Sequence, residues 1–389
     1  RGYDFNEDLY VPGYFEMEIT KGQPIVFSGG ISEIETEDLN QLFSQEADRR
    51  TPRDNFKHCL INAAHQFLNK QGDESYILAG YPWFKCRARD MFISLPGLML
   101  AVNEVEKFET VMNTATKAIY DFMKGEPSTL KVYEMEHPDV LLWAVWTIQQ
   151  YAKMVSRDGA RAKYGTLLKD IMTYLTEGKH PNLKVCDNGL IHSEGRDKAI
   201  TWMNATTNGR PVTPRTGFIV EFNTLWYNAL MFVGELLRED GDNEFADRLT
   251  QLAEKAGKAF VDTFLNEYGY LLDYVDGDMM DWSVRPNMIF AAAFDYSPLN
   301  AKQKKGVVDI VTKELLTPKG LRSLSPKSGG YNPYYAGPQV QRDYAYHQGT
   351  AWPWLEGFYL EAYLRIYKRS AISFVERQMI SYEDEMTQH

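Results

Sequence analysis

Cysteine is scarce in this chain, three residues in 389, and Cys59, Cys86 and Cys186 are an odd number spread far apart. That excludes a disulfide framework and suits free thiols in a reducing compartment, so a cytoplasmic location is expected. Positive charge is in deficit, with 42 Lys plus Arg against 53 Asp plus Glu and a formal charge of −11. A nucleic-acid partner or an anionic membrane surface is therefore not expected. No run reaches the roughly 18 apolar residues that cross a bilayer, and Arg1 to Tyr10 lacks the basic-then-apolar order of a signal peptide. Motifs that cradle phosphates or present a nucleophilic serine are missing: there is no G-x-x-x-x-G-K-[ST], no G-x-G-x-x-G after a strand and no G-x-S-x-G. His180, Cys186 and His192 share one loop but match no zinc spacing. Asp273, Asp276 and Asp278 resemble a calcium loop only superficially, because the closing Glu is absent. No cofactor and no metal are expected.

Aromatic residues are plentiful, 13 % of the chain with 8 Trp and 24 Tyr, inside a 44 % hydrophobic total. This composition supports a large buried core. By length alone two or three domains are expected, although large helical barrels reach this size as one unit. Residues 1–32 carry five glycines around alternating stretches such as Tyr14-Phe15-Glu16-Met17-Glu18-Ile19, which read as two strands. Helical periodicity starts near Asp54, with Phe56, Cys59, Leu60, Ala63, Phe67 and Leu68 on one face. It recurs over 90–103, 107–124, 138–155, 160–177, 218–238, 243–266, 284–294, 301–315, 348–369 and 370–386. That makes about eleven helices. The connections 178–217, 267–283 and 316–347 are too long for simple bundle turns, and long loops on a helical scaffold are where sites sit.

Aromatic rings beside carboxylates and arginines suit a carbohydrate, whose pyranose face packs on a ring while its hydroxyls take charge-assisted hydrogen bonds. Five segments combine these types. They are Gly80-Tyr81-Pro82-Trp83-Phe84 with Arg87-Ala88-Arg89-Asp90; Thr201-Trp202-Met203-Asn204; Thr213-Pro214-Arg215 with Glu221; Arg285-Pro286-Asn287; and Arg342-Asp343 through His347-Gln348 to Trp352-Pro353-Trp354. Trp143, Trp146 and Trp226 lie within apolar helices and read as core. Trp83, Trp202 and Trp352 are flanked by polar loop residues and read as substrate-binding.

Taken together and in order, these segments, with Ile93-Ser94-Leu95-Pro96-Gly97-Leu98 and Gly320-Leu321-Arg322-Ser323-Leu324, resemble the amylo-α-1,6-glucosidase or glycogen debranching family of bacterial and archaeal type. The resemblance implies a mainly α fold, an (α/α)6 barrel of six helical hairpins over residues 33–389, with its site at the mouth. It implies that residues 1–32 are the closing strands of a β-sandwich domain, and that relatives continue beyond His389 with a last helix. It further implies a branched α-glucan or oligosaccharide as substrate and no cofactor; it says nothing of oligomeric state.

Removal of an α-1,6-linked glucose stub with inversion needs one carboxylic acid to protonate the leaving oxygen and one carboxylate to activate water. The resemblance places the acid at the fourth position of a T-W-M-D motif, which is Asn204 here, and an amide cannot donate that proton. Glu194 and Asp197, in the same loop, are conceivable substitutes. Asp343 and Glu221 are the candidates for catalytic charge; alternatively Asp343 pairs with Arg342 or Arg285, and Glu221 holds Arg215. Arg89 and Asp90 resemble the pair with which related glucan hydrolases grip a terminal glucose, although Arg87-Ala88 and Met91 replace the usual neighbours. Arg215, Arg285, His347 and Gln348 complete the expected substrate-binding set. Two alternatives stand beside the α-1,6-glucosidase: a glucoamylase-like or trehalase-like hydrolase, and a catalytically silent glucan-binding protein on the same barrel.

Overall fold

The computed structural model describes residues 8–31, 35–81 and 83–388, with side chains to residue 384. Pro82, one of the motif residues above, lies outside them. The described residues are mainly helical, with thirteen α-helices: α1 Leu39–Arg49, α2 Phe56–Gln66, α3 Ala88–Leu95, α4 Val105–Lys124, α5 Val140–Met154, α6 Arg157–Thr176, α7 Val220–Glu239, α8 Asn243–Phe264, α9 Phe290–Ala293, α10 Ala301–Glu314, α11 Gln339–Ala345, α12 Trp354–Tyr367 and α13 Ile372–Gln388. None is long and apolar enough to cross a membrane.

The helices fall into two kinds. On α5, α7 and α9 the buried side chains occupy every face, including Trp143 and Trp226, as a helix surrounded by other helices requires. On α4, α8 and α10 burial is confined to one stripe. Packing follows: α5 lies against α3, α6 and α7, α7 against α8, and α12 against α9 and α10. Local signals set the ends. Ser156 caps α6 by accepting from the Gly159 N–H, Asn300 and Gln303 form a capping box on α10, and α4 stops at Gly125 in the left-handed region.

Pro96 shapes the helix that carries the Arg-Asp pair. Having no N–H, it cannot bond the Phe92 carbonyl, which takes the Thr147 hydroxyl of α5 at 2.7 Å instead. The chain continues as a π-helical turn over Pro96–Leu100, with the Ala101 N–H reaching back to the Pro96 carbonyl at 3.0 Å. The helix expected over 90–103 is therefore α3 plus this wider turn. The helix expected from 348 begins only at Trp354, because Ala351–Trp352 pairs with Gly320–Arg322 and Pro353 disfavours helical backbone at Trp352.

The long loops carry short antiparallel ladders: Lys184–Val185 with Ile191–His192, Phe218–Ile219 with Tyr274–Asp276, and Leu316–Thr317 with Gly320–Arg322. A parallel pair, Cys86–Arg87 with Val132–Tyr133, ties the start of α3 to the segment ahead of α5. Of the expected strand segment 1–32, residues 1–7 and 32 lie outside the described residues. Residues 8–31 are almost entirely exposed and form no ladder with any described residue, which leaves the backbone groups of that segment without strand partners among the described residues.

Candidate active site

The parallel ribbon and α3 bring Arg87, Arg89, Asp90 and Glu134 to one cavity of about 310 Å³, which is also lined by Ile93, Leu98, Trp202, Asn204, Tyr346, Trp352 and Trp354. Arg89 is buried. Its Nε and Nη2 form a bidentate pair with Asp139 at 2.8 Å, Nη2 also donates to the Ile200 carbonyl and Nη1 to the Thr201 carbonyl. Four of its five N–H groups thus go to protein among the described residues, leaving one on Nη1. Arg89 thus clamps the loop that carries Trp202 while still lining the cavity.

Asp90 is different. It stands in the first turn of α3, no described residue donates to its carboxylate, and its side chain opens to the cavity. Although the residue is solvent-accessible, the concave wall strips water from the carboxyl, which raises its pKa against the pull of Arg89 and Arg87. Glu134 supplies the second carboxylate of the cavity, with Oε1 3.4 Å from Arg87 Nε. Its backbone is left-handed, φ 63°, a conformation that costs a side-chain-bearing residue about 1–2 kcal/mol. Nothing in the sequence around Glu134 signals this, and it was not among the expected site residues.

Trp202 is fixed from behind by a buried polar chain. Its Nε1 donates to Asn287 Oδ1 at 2.7 Å, Asn287 Nδ2 donates to Asp273 Oδ1 at 2.7 Å, and Arg215 joins Asp273 at 2.6 Å to both oxygens of Glu221. Burial opposes the Arg215 charge, but Asp273 and Glu221 outweigh it and hold its pKa up. Around Trp202, the rings of His347, Trp352 and Trp354 meet it edge-on at 5.3, 5.2 and 5.3 Å. His347 is stacked on Trp352 at 5.1 Å. Its Nδ1 accepts weakly from the Ala205 N–H at 3.4 Å, and burial, then Arg285, pushes its pKa down to about 3, so the imidazole is neutral.

Of the expected site residues the cavity gathers Arg89, Asp90, Trp202, Asn204 and Trp352. Asn204 presents an amide that bonds no described residue. The rest lie elsewhere. Glu221 and Arg215 are locked together in the core. Arg285 is spent on the Ser323 and His347 carbonyls and on Gln348 Oε1, and so staples loop 316–347 rather than facing the cavity. His347 and Gln348 likewise support the floor from behind. Asp343 sits on α11, where it accepts from Gln339 at 2.7 Å. Trp83, 79 % exposed, lines a neighbouring groove. Glu194 is exposed beside His192, and Asp276 pairs with Arg196 at 2.8 Å, so the three loop aspartates do not converge on one point. Tyr346, Trp354 and Arg87 were legible as parts of the expected segments; Glu134 was not.

A stretch of 220 residues is 30 % identical to the glycogen debranching enzyme of Saccharomyces cerevisiae, covering 45 % of this chain and 14 % of that enzyme's length. Residues 62–389, which include every residue that lines the cavity, match the family described as amylo-alpha-1,6-glucosidase, and the chain belongs to that family.

Proposed function

We propose that the chain is a glycoside hydrolase that removes α-1,6-linked glucosyl stubs from a glycogen-like glucan, with inversion, on an (α/α)6 barrel. The observation that carries this reading is one cavity where the rings of Trp202, Trp352 and Trp354 meet the cavity's two carboxylates, Asp90 and Glu134. A pyranose face suits the rings, and its hydroxyls suit Asp90, Glu134, the Asn204 amide and the last Arg89 N–H. Family membership and the yeast enzyme's name support the substrate class. The all-face burial of α5, α7 and α9 inside one-face helices supports the barrel. The exposed alternation along 14–27 supports the reading of that segment as sandwich strands.

In this mechanism Asp90, whose carboxyl burial keeps prone to protonation, donates its proton to the glycosidic oxygen. Glu134 takes a proton from the water that attacks the anomeric carbon on the opposite face. The test is glucose release from a limit dextrin bearing single α-1,6 glucosyl stubs. Release by the chain as it stands, abolished by Asp90→Asn, is the expected result. If only the Asn204→Asp form releases glucose, position 204 is the acid. The second reading, a glucan-binding protein without turnover, is favoured by the amide at Asn204 and would then hold for the unaltered chain.

A further inference from the structure

A branch stub is joined to a longer chain, and a cavity that takes one sugar must let that chain leave. Beside the cavity, with Leu78 forming part of the wall of both, lies a groove of about 500 Å³. Its exposed aromatic members are Trp83, Phe84 and Tyr133, which are 79, 50 and 41 % exposed, and Tyr76 lines it as a buried ring. Clustered large apolar side chains left this open mark a surface that meets something. The polar members are Asn69, Gln71, Lys85 and Lys131, and no carboxylate lines the groove. Lys131 donates to Gln71 Oε1 at 2.5 Å, and the Lys85 ammonium lies 4.9 Å from the centre of the Tyr133 ring. The partition between groove and cavity is held by ring contact too: the Arg87 guanidinium sits 5.2 Å from the Phe84 ring and 3.4 Å from Glu134. Rings interleaved with amide and ammonium donors match successive pyranoses better than a purely apolar peptide.

We infer that this groove is a second saccharide site, which holds the α-glucan chain carrying the stub while the stub occupies the cavity. The inference rests on the proposed glucan reading of the cavity. A stub substrate without a long main chain then uses the cavity alone, and a polymer uses both. Truncating a central aromatic anchor commonly costs tenfold or more in affinity.

The experiment compares dissociation constants for glycogen and for isomaltose in the unaltered chain and in Trp83→Ala, Tyr133→Ala and Trp83→Phe. Glycogen affinity is expected to fall about tenfold in the two alanine forms and to return in Trp83→Phe, while the isomaltose constant moves less than twofold. Unchanged glycogen affinity in both alanine forms overturns the groove and leaves the cavity reading intact. Equal losses for both ligands also overturn it, because the rings would then act on the cavity itself. An unaltered chain that binds neither ligand overturns the glucan reading and the groove together.

Discussion

Replacing Glu134 by glycine should separate stability from function at this site. With φ at 63°, Glu134 carries about 1–2 kcal/mol of left-handed strain, which glycine removes. Against this, glycine loosens the unfolded chain by about 0.4–1 kcal/mol. The lost Arg87 contact, with both side chains about one-third exposed, is worth about 0.2–1 kcal/mol. Glu134→Gly is therefore near neutral. Glu134→Ala keeps the strain and loses the same contact, so it should be the less stable of the two by about 1 kcal/mol, the reverse of the usual order. Urea titration of both forms reads this directly. Both should also lose affinity for the cationic glucose mimic 1-deoxynojirimycin by about 10–100-fold, the value of one charge-assisted hydrogen bond. The reasoning is refuted if the alanine form is as stable as the glycine form, or if either binds the mimic as the unaltered chain does.

Two further outcomes follow from buried charge. Arg89→Ala strands the buried Asp139 carboxylate and unpins the Ile200 and Thr201 carbonyls, so it should destabilise by about 3–5 kcal/mol in urea titration, more than Asp343→Ala at a half-exposed helix position. His347 and His180 are held neutral by burial, with pKa pushed down to about 3 and about 4. Between those values and 6.5 the unfolded chain binds more protons than the folded one, so stability should fall as pH drops from 6.5 towards 4. Thermal unfolding across that range checks the sign, and His347→Gln should flatten the slope by up to about 1.4 kcal/mol per pH unit.

Helices were legible wherever apolar spacing ran for three turns or more: 107–124 and 243–266 became α4 and α8 with little change at the ends. The short α11 and the exposed α1, which buries no residue, gave no such signal. The alternation over 1–32 shows the limit of pattern alone, since it records a preference while a ladder needs a partner strand, and residues 8–31 have none among the described residues. For the site, residue type located the right segments but not which side chains face the cavity. Arg215, Arg285 and His347 look in the sequence like sugar ligands, and their hydrogen bonds go to protein; Glu221, a candidate for catalytic charge, holds Arg215, as its alternative reading had it. Glu134 was invisible because its placement depends on one backbone angle, which no spacing rule encodes.

The clamp around Trp202 also bears on how the protein reaches its native state. Arg89 reaches the Ile200 and Thr201 carbonyls across 111 and 112 residues of chain, and Ala205 reaches His347 across 142. Closing loops of that length is entropically unfavourable until the intervening helices have docked. The aromatic floor is therefore expected to assemble after helix pairs such as α7 and α8 that meet through short connections. A sugar that binds this floor recognises only the completed chain, and by mass action it draws the folding equilibrium towards completion.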